Sequence, residues 1–335
     1  MKAWQVTKKG EPRDVLVQVG DAPLPEPGPG MARVRVDACG VGLPDLLMCR
    51  DLYALTPDPP FTPGQELTGV VTAVGEGAPA RVGDRIMSVS GFMLGQGGFA
   101  EEAIALPDMC FPVPDWMRDD EAAAFLIPYH TAWIGLVPRG QLQPGETVLV
   151  LGGAGGTGSA AIQLARALGA GKVIATASGA EKVAFCEQMG ADAVVDRSEA
   201  PIAEMVRELT GGKGVDVVYD PVGGDAYHQA SRCVAHGGRI LLVGFASGSW
   251  GSPSAPHMAN RNYAAVGVMP TGFDRAFKDD AQARMEALYR KGEIRVPVGR
   301  AFDFDELPLA LETLAGGDVM GKLVVRGPRP PGEGR

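Results

Sequence analysis

The sequence predicts an α/β protein in which a doubly wound domain with a six-stranded parallel sheet is inserted into a β-rich domain. Three observations predict it. Residues 147–158 read TVLVLGGAGGTG, an apolar β-branched run that ends in closely spaced glycines. From about residue 125 to 266, strand-like and helix-like patterns alternate, as they do in a parallel sheet covered by helices on both faces. Before residue 124, short valine-containing segments are separated by glycine and proline, the texture of a β-rich domain.

Each element follows from its own pattern. In the first stretch, residues 32–36, 67–74 and 85–89 read as strands, whereas APLPEPGPG (22–30) and TPDPPFTPG (56–64) are loops, because proline removes backbone donors and fixes φ. Residues 147–151 lack polar alternation, which suits a strand buried on both faces. After Gly158, the residues Ala160, Ala161, Leu164, Ala165 and Leu168 recur at helical spacing, and Gly169 suits a C-cap. Further strands are expected at 172–176, 193–195, 215–219, 239–243 and 263–266, with helices at 180–189, 202–209 and 226–234. That count completes a six-stranded sheet. The remaining stretch, from 267, holds the helical AQARMEALYRKG and a closing strand at 322–325 and is assigned to the first domain, giving domains 1–124 plus 267–335 and 125–266. The terminal GPRPPGEGR reads as a mobile tail.

Composition narrows the function. The 335 residues suffice for about two cored domains, and 45% apolar with 21% charged residues is ordinary for a globular protein. A net charge of −9 argues against nucleic acid or an anionic membrane as the main partner. The N-terminal MKAWQVTKKG has no apolar signal region and no apolar run is long enough to cross a bilayer, so a cytoplasmic location is expected. Five cysteines (Cys39, Cys49, Cys110, Cys186 and Cys233) form no CxxC pair, and the four histidines form no HExxH, so no metal site is expected.

Strand, glycine loop and helix in that order point to a dinucleotide. Gly153 is expected to allow the tight turn, Gly155 to let the backbone approach a pyrophosphate, and Gly158 to let the helix sit close to the sheet, with Gly156 and Thr157 on the same loop. NAD-preferring sites place an acidic residue near the end of the second strand to hold the ribose 2′-OH. Here that strand ends Ala175, Thr176, Ala177, Ser178, with no acid. Ser178, Lys182 and Arg197 offer a hydroxyl and two cations, which suits the 2′-phosphate of NADP(H). The alternative is that Lys182 and Arg197 are solvated surface charges, and the adjacent Asp196 would either orient Arg197 or repel a phosphate. Phe245, Ser247 and Gly248 follow the fifth strand and Met269 and Pro270 the sixth, at C-terminal strand ends where open α/β sheets bind ligands.

The segments ACGVGLPD (38–45), PGQELTG (63–69), VGDRI (82–86), IPYHTAW (127–133), the glycine loop, DPVGG (220–224), GRILLVG (238–244) and GKLVV (321–325) stand in one order. In that order the chain resembles the medium-chain dehydrogenase/reductase superfamily, in its zinc-free quinone oxidoreductase (zeta-crystallin-like) branch. The resemblance implies a Rossmann cofactor domain inserted in a GroES-like catalytic domain, a substrate cleft between the two, and a homodimer. It also implies transfer of the pro-R hydride of NADPH to a small-molecule acceptor, a quinone or an α,β-unsaturated carbonyl.

The superfamily's zinc ligands match Gly42, Gln65 and Ile127, none of which serves as that ligand. Gly42 also replaces the asparagine usual in the branch, which opens space and removes a polar handle. Tyr53 matches a tyrosine bordering the nicotinamide cleft; its hydroxyl either steadies an oxyanion or its ring is a packing aromatic. Thr131 matches a threonine that approaches the nicotinamide, the other reading being core filler. Gly42, Asp45 and Tyr53 are the substrate-pocket candidates, with Asp45 read as a hydrogen-bond anchor and Glu66 as a buried or helix-capping carboxylate. Val222, Gly244, Asn260 and Lys322 complete the cofactor candidates. An NADPH-binding protein with little turnover, or another medium-chain alcohol or aldehyde reductase, stands as the alternative.

Overall fold

A computed structural model describes residues 1–270 and 272–328. The chain forms two compact units, one made of residues 1–127 together with the chain from Pro297 onward, the other of Pro128–Val296. The tail beyond Pro328 lies outside the described residues.

The first unit begins with the antiparallel pair β1 (Ala3–Val6) and β2 (Leu16–Val19). β3 (Ala32–Val41), β4 (Glu66–Val74), β5 (Arg85–Ser90) and β6 (Glu102–Pro112) follow as an antiparallel run, and β3 also pairs with β6, so these four strands close on themselves. Alternation along β3 sends Val34 and Val36 into a core with Leu67, Val71 and Ile86. The helix Leu43–Cys49, between β3 and β4, carries the first candidate site residues.

In the second unit, β7 (Thr147–Val150), β8 (Lys172–Ala177), β9 (Ala193–Asp196), β10 (Val215–Asp220), β11 (Val234–Leu242) and β12 (Ala264–Gly267) form one sheet in the order β9-β8-β7-β10-β11-β12. Every pairing is parallel. This is the expected doubly wound sheet, whose order reverses between β7 and β10 and opens a crevice at that switch point. Leu149, Ile174, Val195, Val218 and Ile240 build its core with Ile202 and Val206 of the helix Ile202–Leu209. The expected helix at 226–234 is Gly224–Ser231, and β11 starts earlier than expected, at Val234, with an irregular register against β10.

The chain returns to the first unit with β13 (Val298–Phe302), the helix Leu307–Gly316 and β14 (Lys322–Arg326). β14 pairs parallel with β13 and antiparallel with β3. The return comes at Pro297, which corrects the boundary expected at 267. The intervening segment is held by the second unit's own polar groups. Gln282, on the helix Arg275–Arg290, meets His130 Nε2 at 2.8 Å, Arg295 N donates to Gln163 at 2.8 Å, and Arg139 donates to the Gly267 carbonyl at 2.8 Å. Counting strands located the sheet but carried no information about a helix packed outside it.

Candidate functional site

The glycine loop sits at the switch point, between β7 and the helix Gly156–Ala167. The tight turn is made by Gly152, at φ +61°, and not by Gly153 as expected. Gly153 is required for a different reason: a Cβ there would lie 2.9 Å from both Ala175 Cβ and Cys186 Sγ. Gly158 behaves as expected, since its Cβ would meet the Gly152 carbonyl oxygen at 2.2 Å. Gly155, by contrast, has only that oxygen nearby, at 3.5 Å. The loop is thus crowded behind and open in front, where the first amides of a 12-residue helix leave donors and a positive dipole end. That cradle fits a pyrophosphate.

At the end of β8, Arg197 Nε donates to Ser178 Oγ at 2.6 Å, so two of the three predicted phosphate ligands are adjacent. Lys182 lies nearby in sequence, on the helix Ala180–Gln188. Asp196 is not turned on Arg197 alone. Its oxygens accept from Ser198 N and Oγ and from Gly179 N, and these hydrogen bonds, led by the Ser198 hydroxyl, hold its pKa below the usual carboxylate value. Asp196, weighed in the sequence as a neighbour of Arg197, thus stands across the sheet from the end of β8, in register with Ala177, and ties down the Gly179 turn.

On the other side of the crevice, Asp220 organises the loops. It is buried, and its Oδ1 accepts from Val222 N at 2.9 Å and Gly223 N at 2.7 Å, while burial raises its pKa. Ser247 N donates to the Val222 carbonyl and Gly244 N to that of Asp220. The Val222 side chain stands 2.9 Å from where a Cβ on Gly152 would be. Val222, Gly244, Phe245 and Ser247 are thereby gathered beside the glycine loop, with Phe245 stacked near Trp250 at 4.8 Å. Met269, 57% exposed, lines a groove of about 460 Å³ with Trp250, Val268 and Phe273, and Pro270 follows it. Thr131 is half-buried on the helix Asp119–Ile134, and Asn260 is exposed on Ala255–Arg261.

The first unit holds a buried polar cluster. Asp45 is fully buried, and its carboxylate accepts from Gly42 N at 2.8 Å, Gly64 N at 3.0 Å and Gln65 N at 3.1 Å. Burial raises its pKa to about 6 against the pull of those donors. It is an anchor for three backbone positions and presents no open face to a substrate, which corrects its place among the pocket candidates. Glu66, at the start of β4, is buried, the first of its two expected readings, and caps no helix N-terminus: its Oε2 accepts from Ile127 N, inside the helix Asp119–Ile134, at 2.8 Å, and its Oε1 lies 2.5 Å from Lys322 Nζ. Lys322, expected as a cofactor contact, is thus an ion-pair partner in the first unit. No helical or heptad period could have linked residues 66 and 322; only the β3–β4 and β3–β14 pairings bring them together. Tyr53 is half-buried, its ring 6.5 Å from Phe92, so packing accounts for part of its role.

The positions that match metal ligands surround this cluster, and they do not fit zinc. Gly42 has no donor, Ile127 has a hydrocarbon side chain, and the neighbouring carboxylates are engaged by amides and by Lys322. The Cys39 thiol is buried, and burial pushes its pKa well up, away from the thiolate that zinc needs. Among the described residues no group of three or more His, Cys, Asp or Glu is placed to hold a metal ion.

A closed β-rich unit and a dinucleotide-type unit are the two parts of an alcohol dehydrogenase-type oxidoreductase. The alcohol dehydrogenase GroES-like domain matches residues 28–115 and the zinc-binding dehydrogenase domain residues 156–283. Quinone oxidoreductase-like protein 2 homolog of Nematostella vectensis is 35% identical over 306 residues, covering 89% of this chain and 82% of that protein. A probable oxidoreductase from Mycobacterium abscessus has a TM-score of 0.83 at 39% identity, covering 97% of this chain and 98% of the other. Escherichia coli quinone oxidoreductase complexed with NADPH has a TM-score of 0.88 at 26% identity, covering 97% of this chain and 100% of the other. The chain belongs to the quinone oxidoreductase branch of the medium-chain dehydrogenase/reductase superfamily.

Proposed function

We propose that the protein is an NADPH-dependent, zinc-independent reductase that delivers a hydride to a quinone or an α,β-unsaturated carbonyl. The observation that carries the cofactor is the Arg197–Ser178 pair at the end of β8, beside an open glycine loop, in a chain similar to a quinone oxidoreductase complexed with NADPH. NADPH, when bound, supplies the hydride, and the protein binds and orients it. The amides around Gly155, Gly156 and Thr157 take the pyrophosphate, and Ser178, Arg197 and Lys182 take the 2′-phosphate. The loops of Gly244–Ser247 and Met269–Pro270 border the nicotinamide end, with Val222 and Thr131. Tyr53 offers its hydroxyl to the acceptor. Reduction of an electron-poor double bond needs no Lewis acid, which accords with residues that do not fit zinc. We further propose a cytoplasmic homodimer; light scattering on the eluting protein tests its mass.

The test is NADPH oxidation followed by absorbance against a panel of ortho-quinones, para-quinones and enones. Turnover with at least one class, and preference for NADPH over NADH, is the expected result. Tight NADPH binding with no turnover on any acceptor would instead favour a non-catalytic NADPH-binding protein, a reading for which Gly42 without a side chain speaks.

A further inference from the structure

The mismatch with zinc leaves a question of charge, because something must oppose the negative oxygen that forms when a carbonyl conjugate accepts a hydride. Lys322 is placed to do so. A Cβ built on Gly42 would lie 3.3 Å from Pro44 Cδ, 3.5 Å from Asp45 Oδ2 and 3.7 Å from Lys322 Nζ, so the position of the absent side chain borders the ammonium group as well as the Asp45 carboxylate. The ammonium is fixed: Glu66 Oε1 is 2.5 Å away, the Lys322 side chain is only 12% exposed, and Glu66 is itself held by Ile127 N. The contact is an ion pair by distance: Glu66 Oε1 is buried without a hydrogen-bond partner, so the three N–H donors of the ammonium are not committed to it. Gln65, the second position that matches a zinc ligand, is 7% exposed, and its Nε2 is buried without a partner. Gln65 Nε2 is thus a buried donor left without a bond, which an acceptor oxygen would satisfy.

We propose that the Lys322 ammonium, held by Glu66 in the space opened at Gly42, binds the carbonyl oxygen of the acceptor and stands in for the missing metal ion. This rests on the reductase reading above. As the hydride from reduced nicotinamide bonds to the β-carbon of an enone, the C=C electron pair becomes the new bond between the α-carbon and the carbonyl carbon. The carbonyl π pair moves to oxygen. The enolate oxygen is then hydrogen-bonded by Lys322, and water protonates the α-carbon to give the saturated ketone, the nicotinamide having been oxidised. A quinone follows the same course to a hydroquinone anion. Gln65 Nε2 is the second donor once its amide turns toward the oxygen.

The test uses 4-nitrophenol, whose phenolate mimics the oxyanion and absorbs differently from the phenol. Bound to the protein saturated with NADP+, its pKa is expected to fall by about one to three units, the effect of an opposite charge in contact. Lys322→Arg is expected to keep the fall and Lys322→Met to lose it, with kcat for enones reduced about 100- to 1,000-fold. Because Lys322→Met strands a buried carboxylate, Glu66→Gln/Lys322→Met, which removes both charges, is measured beside it. No binding of 4-nitrophenol, binding without a shift, or a shift that survives in the double variant overturns the proposal. So does a loss of NADPH affinity in Lys322→Met that accounts for the whole loss in kcat, since Lys322 would then serve the cofactor. A phenolate shift in a protein that reduces no quinone or enone would leave this assignment standing and refute the reductase.

Discussion

Alanine at three glycines of one loop separates folding from binding. At Gly158 the added Cβ would sit 2.2 Å from the Gly152 carbonyl oxygen, more than an ångström inside normal contact, and the obstacle is backbone. The helix Gly156–Ala167 must shift, and overpacking of this kind costs about 1–3 kcal/mol or more. At Gly153 the contacts are 2.9 Å to Ala175 Cβ and Cys186 Sγ, so a similar but smaller loss is expected. At Gly155, φ is −76° and the only neighbour is 3.5 Å away, so Gly155→Ala folds with stability within about 1 kcal/mol of wild type. Its methyl group fills the open front of the loop. Losing one or more amide bonds to a charged phosphate is worth about 1.5–3 kcal/mol, which is about 10- to 150-fold in affinity. Urea unfolding of the nucleotide-free proteins and a fluorescence titration with NADPH measure both quantities. Wild-type affinity in Gly155→Ala, or wild-type stability in Gly158→Ala, would refute the reasoning.

Arg197→Ala is expected to weaken NADPH by about 10- to 100-fold and leave NADH unchanged; equal losses for both would show that the guanidinium serves something other than the 2′-phosphate. His130 is buried, and burial lowers its pKa from 6.5 to about 4 despite the bond to Gln282. Between those values the unfolded chain carries a proton that the folded chain lacks, so stability falls as pH falls through this window, by about 3 kcal/mol in total. His130→Asn should flatten that part of the urea-unfolding pH profile, and an unchanged slope would count against it. Prolonged chelation should alter neither melting temperature nor turnover; stoichiometric zinc in the purified protein is the contrary result. Tyr53→Phe should lower kcat about tenfold with NADPH affinity unchanged if the hydroxyl bonds the acceptor, while an unchanged kcat assigns the ring to packing against Phe92.

The doubly wound sheet was legible because buried parallel strands write continuous apolar runs, and five of the six lie within a residue or two of their expected limits; β11, bent by its irregular register, does not. The glycine loop was legible as a motif but not in its division of labour, since φ at Gly152 and the crowding at Gly153 depend on what β8 and the following helix bring against them. The helix Arg275–Arg290 was read correctly as a helix and assigned to the wrong unit. Its partner His130, and Gln163, which binds Arg295 just beyond it, lie more than a hundred residues upstream, and a local pattern does not encode a distant neighbour. The Glu66–Lys322 pair was missed for the same reason.

The closure of the first unit by β14 has a consequence for how the chain is made. Trp4 Nε1 donates to the Phe304 carbonyl across 300 residues of sequence, and Ala38–Gly40 of β3, paired with β4 on one side, find their partner on the other in Val324–Arg326. The second unit is one continuous segment and can be completed while its C-terminal flank is still being synthesised. The first part of the first unit is made before the second unit, with the β14-facing edge of β3 unpaired, and that edge stays open until residues 322–326 have been made. Until then the nascent chain carries an open sheet edge, the kind of surface that holdase chaperones cover and that aggregation exploits.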